Sequence, residues 1–413
     1  MEKTGDGTAK ASQEDIDAAI AHFKRGIEHS AKGETAEALA QYTEAIRLDP
    51  SAVSAYYNRG NLHHGEGEID KAIADYSEAI RLKPDFSQAY ANRGHARSAK
   101  GESAKAIEDY DRAIRLEPDD AGAYYNRGIV FQKTGNVERA IADYTKAIRL
   151  RPDYSAAYNN RGNAHSGKGE IGKALADYNE AIHLDPGNSA AYISRGANLG
   201  DSGKLDLAIA DFDRAIMLAP DDADAYSGRG GVYSLKGKTD LAIADYDRAI
   251  RLAPDNAMAY NNRGNAHMVK RKTGKAIADY NEAIRLAPNL AVARYNRGRA
   301  YLGKKEFDKA IADFTEAIRL QPLYADAHVN RGSAHSRKGE FDKAISDLTK
   351  AIRLDPDDAS ARSNRGIVRA LKGEHDFAIA DFEAALRLEP GDSQAKAGLE
   401  ISRREKARLE GST

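Results

Sequence analysis

The sequence predicts an all-α fold in which pairs of short helices repeat along the chain. All eleven prolines of this 413-residue chain stand 34 residues apart, from Pro50 to Pro390. With proline as position 32, repeats 1 to 11 begin at residues 19, 53, 87, 121, 155, 189, 223, 257, 291, 325 and 359. In every repeat, position 8 is Gly, positions 20 and 27 are Ala, and position 30 is Leu. A period of this length indicates one supersecondary unit that stacks on its neighbours to form a solenoid.

Each repeat divides into a helix A, over roughly positions 1 to 13, and a helix B. The apolar residues of B have the spacing of one helix face, as repeat 3 shows with Ala106, Ile107, Tyr110, Ala113 and Ile114. A Lys-Gly-Glu-like turn such as residues 168–170 separates the helices, because Gly permits a left-handed C-cap. Gly at position 8 costs about 1 kcal/mol in a helix interior, so we expect it to let A approach B closely, opposite Ala at position 20.

The repeats occupy most of the chain. Residues 1–18 are expected to form an N-terminal segment and the start of the first helix, residues 19–392 the eleven repeats, and residues 393–413 a C-terminal capping helix and tail. Ser12, ahead of two acidic residues, is expected to cap the first helix, and Ala395 and Leu399 to face inward from the last one.

Composition excludes several classes of function. Lys+Arg (62) and Asp+Glu (63) nearly cancel, so no overall basic field attracts nucleic acid. The chain has no cysteine, no apolar run long enough to span a membrane and no signal-peptide pattern at its start, so we expect a cytoplasmic protein without membrane insertion. No catalytic arrangement stands out from the periodic background, and we expect neither an enzyme nor a metal or cofactor.

One motif connects the repeat to a family. Repeat 5 carries Tyr-x2-Arg-Gly-x2-His, then Ala-x3-Tyr-x2-Ala and Pro, at Tyr158, Arg161, Gly162, His165, Ala174, Tyr178, Ala181 and Pro186. This motif resembles the tetratricopeptide repeat (TPR). The resemblance implies a right-handed superhelical solenoid of antiparallel helix pairs, with helix A lining a concave groove and helix B outside. It also implies a protein–protein interaction scaffold that binds a protein or peptide in that groove.

Position 7 departs from the family pattern, which usually has Leu there. It is Arg in all eleven repeats, and position 23 is Asp in ten of them, with Gln41 as the exception. The two residues are expected to form one ion pair between A and B in each repeat. The alternative is a stripe of Arg that grips acidic ligands in the groove. We favour the ion pair because the two residue types recur in step.

Asparagine marks the candidate binding face of helix A. It occupies position 6 in eight repeats and position 9 in three, at Asn58, Asn92, Asn126, Asn160, Asn262, Asn296, Asn330 and Asn364, and at Asn61, Asn163 and Asn265. An amide offers a donor and an acceptor to a peptide backbone of any sequence. The pattern resembles the asparagine ladder in the repeat arm of O-linked N-acetylglucosamine transferases. The alternative is a solvated or spacing Asn copied by duplication.

Repeats 6 to 9 are the irregular part of the array. The Asn series stops at Ser194 and Gly228, and Gly228, Gly230 and Gly231 mark either a hinge, a close approach or drift. Residues 257–324 hold 13 Lys+Arg against 6 Asp+Glu, with a basic cluster at Lys270, Arg271, Lys272, Lys275, Lys304 and Lys305. This cluster is compatible with an acidic partner, with self-association into a structural scaffold, or with an ordinary solvated face. Five histidines at position 11, His29, His63, His165, His267 and His335, are expected to be packing residues.

Overall fold

The computed structural model describes residues 12–410, and every regular element in that range is an α-helix. The helices are α1 (Gln13–Ala31), α2 (Thr35–Leu48), α3 (Val53–Gly65), α4 (Ile69–Leu82), α5 (Ser87–Ala99), α6 (Ser103–Leu116), α7 (Ala121–Lys133), α8 (Val137–Leu150), α9 (Ser155–Gly167), α10 (Ile171–Leu184), α11 (Ser189–Asp201), α12 (Leu205–Leu218), α13 (Ala223–Leu235), α14 (Thr239–Leu252), α15 (Ala257–Val269), α16 (Thr273–Leu286), α17 (Ala291–Gly303), α18 (Phe307–Leu320), α19 (Ala325–Arg337), α20 (Phe341–Leu354), α21 (Ala359–Lys372), α22 (His375–Leu388) and α23 (Ser393–Glu410). The predicted all-α repeat fold is confirmed, while the predicted N-terminal segment before Ser12 and the tail after Glu410 lie outside the described residues.

The chain forms two compact units, one ending at Asn198 and the other beginning at Leu199. Within each unit, an odd-numbered helix A packs on the helix B that follows it, and that B packs on the next A. Helix A also touches the next helix A, as α3 touches α5 and α15 touches α17, whereas no two B helices described here pack to a comparable extent. Within each unit the A helices therefore lie on the side where successive repeats are closest together.

Both ends of the described helices are capped as the sequence predicts. The backbone amide of Asp15 donates to Ser12 Oγ (3.1 Å) and the Ser12 amide donates to Asp15 Oδ2 (3.2 Å), a capping box at the start of α1. At the other end, Ala395 and Leu399 of α23 pack on the cluster around Phe382. The last helix therefore covers the apolar face of repeat 11.

The close approach of A to B at position 8 is confirmed, but its main partner differs from the predicted one. A Cβ built on Gly60 would lie 2.9 Å from Cε1 of Tyr76, the ring at position 24, and a Cβ on Gly162 would lie 2.6 Å from Cε1 of Tyr178. The ring is almost fully buried, and the Ala at position 20 also lies opposite the glycine as expected, since Ala174 O would be 3.2 Å from the Cβ on Gly162. Glycine is required here because a packed aromatic ring cannot give way to a methyl group.

The predicted pair between positions 7 and 23 is present and bidentate. In repeat 5, Arg161 donates from Nε to Asp177 Oδ2 (2.9 Å) and from Nη2 to Asp177 Oδ1 (2.7 Å). The same geometry joins Arg59–Asp75, Arg93–Asp109, Arg127–Asp143, Arg229–Asp245, Arg263–Asp279, Arg297–Asp313, Arg331–Asp347 and Arg365–Asp381. Hydrogen bonding to Asp245 raises the pKa of Arg229 above its ordinary value, so this pair stays ionised.

The same arginine also reaches the preceding repeat. Its Nη1 donates to the side chain at position 25 of the previous helix B, as Arg161 does to Thr145 (3.2 Å) and Arg263 to Asp247 (2.7 Å). One guanidinium therefore connects three helices, namely its own A, its own B and the B before it. For the nine bidentate pairs, the alternative of a free arginine stripe loses support, because three N–H groups of each guanidinium already bind side chains of the fold.

We expect the Arg161→Met substitution to destabilise repeat 5 by about 3 kcal/mol, because it leaves the buried Asp177 carboxylate without a countercharge. The loss is measured as faster amide hydrogen exchange in α9 and α10. Arg25→Met is the matched control, since Gln41 stands where the carboxylate would be. Exchange that responds equally to the two substitutions would contradict the role assigned to the pair.

No helix between Ser12 and Glu410 has both the length and the apolar character needed to cross a bilayer.

Candidate binding surfaces

All eleven asparagines of the predicted ladder lie on A helices of the two units. Asn58 and Asn61 are on α3, Asn92 on α5, Asn126 on α7, Asn160 and Asn163 on α9, Asn262 and Asn265 on α15, Asn296 on α17, Asn330 on α19, and Asn364 on α21. Asn296 is buried, Asn265 is exposed, and the other nine are half-buried. The series therefore follows the side of each unit on which helix A meets the next helix A.

Four of the asparagines at position 6 bind the preceding helix A. The Nδ2 amides of Asn92, Asn160 and Asn330 donate to the Tyr hydroxyl at position 5 of the previous repeat, over 3.0, 3.0 and 3.2 Å. Asn296 donates instead to Asn261 Oδ1 (3.0 Å). These amides therefore link successive repeats, a role that was not foreseen from the sequence.

The asparagines at position 9 serve the aromatic core. Tyr76 donates its hydroxyl proton to Asn61 Oδ1 (2.8 Å), Tyr178 donates to Asn163 (2.9 Å) and Tyr280 donates to Asn265 (2.7 Å). Burial raises the pKa of Tyr178 to about 12, so its hydroxyl remains a donor at neutral pH. Each of these asparagines supplies an acceptor to a hydroxyl that would otherwise be buried without one.

Asn58, Asn126 and Asn364 are less constrained by the fold than these linked residues. Asn58 and Asn61, together with Ile27, Ser30 and Tyr42, line an open cavity of about 370 Å³ between the first two repeats. The side chains of Asn126 and Asn364 make no hydrogen bond to any residue from 12 to 410. The polar face of the A helices is therefore only partly used by the fold itself.

At Ser194 the interruption of the series leaves a buried acceptor. Asn159, at position 5 of repeat 5, is 7 % exposed, and its Oδ1 has no partner among the described residues. In repeat 8 the equivalent Asn261 receives a hydrogen bond from Asn296. A serine at residue 194 is too short to replace that donor. A comparison of position 6 between the repeats would have been enough to reveal this missing donor.

At Gly228 the interruption has a packing cause. A Cβ on Gly228 would lie 2.4 Å from Cε1 of Phe212, the ring at position 24 of repeat 6, so this glycine marks a close approach. Helix α13 runs without a break through Gly228, Gly230 and Gly231, and the alternative of a hinge gains no support from its backbone. The same combination of residues recurs at the capping helix. A Cβ built on Gly398 would lie 2.4 Å from Cζ of Phe382, the ring at position 24 of repeat 11.

The turns between A and B form a second polar surface. In repeat 5, His165 Nδ1 lies 2.7 Å from Glu170 Oε2, and equivalent His–Glu contacts occur at His29, His63 and His335. In repeat 8, Lys272 replaces this glutamate, and Nδ1 of the buried His267 has no partner among the described residues. Across residues 12–410, no three His, Asp or Glu side chains gather as metal ligands would.

The stacked A and B helices of both units define a helical-repeat scaffold of the kind that binds other proteins. Residues 94–135, 199–237 and 232–269 match a family model described as TPR repeat. Two models described as tetratricopeptide repeat match residues 23–85, 295–352 and 332–393, and residues 121–154, 155–188 and 257–290. The chain belongs to the tetratricopeptide repeat family.

Solved structures show a similar fold. One is the crystal structure of the APC/C hetero-tetramer Cut9-Hcn1, with a TM-score of 0.55 and 17 % identity over 92 % of this chain and 89 % of that chain. Another is a tetratricopeptide repeat protein from Parabacteroides merdae, with a TM-score of 0.50 and 22 % identity over 60 % of this chain and 98 % of that chain. At these identities the likeness concerns the fold alone. Among curated protein sequences, none matches this chain significantly.

We expect Gly228→Ala to destabilise α12 and α13, because moving the packed Phe212 ring costs about 1–3 kcal/mol, more than the helix propensity gained. Gly231→Ala is the control three residues away, where the added Cβ meets only Tyr246 Oη at 4.0 Å. This control is expected to stabilise α13 by about 1 kcal/mol. Both effects are read from hydrogen exchange of the α12 and α13 amides, and a gain in protection for Gly228→Ala would disprove the packing argument.

We expect Lys272→Glu to raise the pKa of His267. Burial, partly offset by Asp279, lowers this pKa below its ordinary value, so in the native chain acid destabilises the fold as pH falls below about 6.5. A glutamate at residue 272 would supply the partner that His165 has in Glu170, and it would weaken this acid sensitivity. The measurement is an NMR titration of the His267 ring, with His165 as the internal reference, and an unchanged His267 pKa would contradict the assigned cause.

Proposed function

We propose that this chain is a scaffold that holds a protein or peptide along the A helices of each unit, through the asparagines at positions 6 and 9. The observation that carries this proposal is how the position-6 amides are used. Asn92, Asn160 and Asn330 commit their Nδ2 groups to inter-repeat bonds, while their Oδ1 atoms accept no hydrogen bond from the described residues. The bonds fix the orientation of each amide, so each leaves an oriented acceptor on the same side of its unit.

Such acceptors match the chemistry of an extended backbone. A peptide presents amide protons at regular intervals whatever its sequence, and each bond to an immobilised acceptor contributes about 1 kcal/mol. Orientation by a neighbouring helix lowers the entropy lost on binding. Asn126 and Asn364, whose amides are not used by the described part of the fold, add donors as well as acceptors. The proposal involves no catalytic step or cofactor, and we place the protein in the cytoplasm.

Two matched triple variants test this assignment. In the first, Asn92, Asn160 and Asn330 become Ala; in the second, Tyr57, Tyr125 and Tyr295 become Phe. Both remove the three Asn–Tyr hydrogen bonds between repeats, whereas only the first removes the Oδ1 acceptors and the additional bond from Asn92 to Asn61 (2.9 Å). Peptides selected on the immobilised full chain from a random phage-displayed library serve as ligands.

We expect the selected peptides to bind the Ala triple variant weaker by on the order of 100-fold, and to bind the Phe triple variant nearly as well as the native chain. Fluorescence anisotropy measures both affinities, and circular dichroism checks that helicity is retained. Equal loss in both variants would show that the asparagines only link repeats. A mass that rises with protein concentration in the native chain, and not in the Ala variant, would favour a self-assembling scaffold instead.

A further inference from the structure

Two turns between helices A and B carry a backbone strain that the other described turns of this kind avoid by using glycine. At position 15, nine repeats have Gly with a positive φ, between 70° and 88°. Repeat 8 has Arg271 there, with φ of 55°, and repeat 9 has Lys305, with φ of 62°. A residue with a Cβ pays roughly 1–2 kcal/mol in this region. Neither side chain makes an ion pair with the residues from 12 to 410 that could offset this cost.

The turn of repeat 8 has also lost a carboxylate. In repeat 2, Glu68 lies 2.6 Å from His63 and 2.7 Å from Lys71. In repeat 8 this glutamate is replaced by Lys272, which places a second cation three residues before Lys275. Neither lysine has an ion-pair partner in the described chain. The substitution therefore exchanges an attractive pair for a repulsive one.

A third exchange acts between the two repeats. Elsewhere in the second unit, Lys338 pairs with Asp308 of the preceding repeat over 2.6 Å, and Lys372 pairs with Asp342 over 2.6 Å. In repeat 8, Gly274 occupies the position of Asp308 and Asp342. Among the described residues, Lys304 therefore pairs only with Glu306 of its own turn, over 2.5 Å. Asp240, at the same position of repeat 7, pairs with Lys270.

These changes produce a local excess of positive charge, the basic edge, which comprises Arg271, Lys272, Lys275, Lys304 and Lys305. All five residues are exposed. Repeats 1 to 7, 10 and 11 keep the turn glycine, and none of them has a second lysine three residues after a lysine at position 16. Three kinds of substitution therefore coincide at the turns of repeats 8 and 9, namely a cation for the turn glycine, Lys272 for a glutamate and Gly274 for an aspartate. Each of them removes negative charge or adds positive charge.

We propose that the basic edge is a second binding surface, separate from the asparagine face, and that it takes an extended acidic segment of a partner protein. Because α15 touches α17, the two turns belong to neighbouring helices, whose axes lie about 8–10 Å apart. Three residues of extended chain span about 10 Å. A segment with Glu or Asp at every third position therefore places one carboxylate at each turn.

Charge and composition favour a peptide over nucleic acid at this surface. The edge covers two turns and its five members include no aromatic ring on which a base would stack. Residues 257–324 hold 13 Lys+Arg against 6 Asp+Glu while the whole chain has a net charge of -1, so the basic excess is confined to repeats 8 and 9. A second copy of this chain is the other possible source of carboxylates, and the experiment distinguishes it.

The probe is a fluorescein-labelled peptide of Glu-Gly-Gly repeats, with a Gln-Gly-Gly peptide as its uncharged counterpart. The edge variant carries Arg271→Gly, Lys272→Gln, Lys275→Gln and Lys305→Gly in the full chain. The charge-matched control carries Lys71→Gln, Lys105→Gln, Lys173→Gln and Lys343→Gln, at lysines whose side chains are 60–66 % exposed. Anisotropy is measured at about 0.15 M salt and again at about 1 M.

We expect the Glu peptide to bind the native chain and the control equally, and the edge variant at least about tenfold more weakly, with binding lost at high salt. The edge variant should melt no lower than the native chain, because two strained turns regain glycine. The Ala triple variant of the asparagine face should bind the Glu peptide normally, which separates this inference from the proposed function.

Four outcomes would overturn the proposal. In the first, the edge variant would bind the Glu peptide as tightly as the native chain does. In the second, the control variant would lose as much affinity as the edge variant, which would show that only the net charge of the chain matters. A single-stranded oligothymidine of equal charge would bind the edge more tightly than the peptide, which makes nucleic acid the occupant. Sedimentation would show self-association of the native chain that the edge variant lacks, which makes a second copy the occupant.

Discussion

The arginine at position 7 is the interaction on which the geometry of each unit depends. It binds its own helix B through a bidentate carboxylate and the previous helix B through the third nitrogen, as Arg161 does with Asp177 and Thr145. A half-buried guanidinium that donates hydrogen bonds to two neighbouring helices tolerates little sliding between them. Replacing a buried pair by apolar residues often stabilises a protein, so the arginine specifies the register between repeats more than it adds stability.

Much of the fold could be predicted because the repeat displays it eleven times. Periodicity and charge within a single repeat are enough to predict the helix pairs, the Ser12 cap, the capping helix and the Arg–Asp pairs. The links made by the asparagines could not be foreseen in the same way. Asn92 meets Tyr57 across 35 positions, and this contact depends on how one helix A lies on the next. Once that packing is known, the sequence does reveal the link, since a Tyr or Asn at position 5 precedes each linked Asn.

The irregular part of the array illustrates two different consequences of substitution. The Phe212–Gly228 contact changes packing on both partners at once, so the helices remain regular and the polar link is exchanged for an aromatic one. Repeat 8 changes charge without such compensation, leaving His267 without a partner for Nδ1 and two lysines without carboxylates. The paired change at Phe212 and Gly228 preserves the packing of the helices. The unpaired lysines of repeat 8 instead leave charge on the surface that a partner could use.

The arginine links also give the array a direction. Each one connects a repeat to the repeat before it, as Arg59 does through Thr43. Repeat 1 differs from the other repeats because Gln41 stands at the position of the carboxylate. The last repeat is instead covered by α23, where Arg403 lies 2.7 Å from Glu383 and Lys406 binds Asp376. In a chain whose stability is a sum of neighbouring terms, we expect repeat 1, which lacks this carboxylate, to open before the repeats that have the complete arginine link.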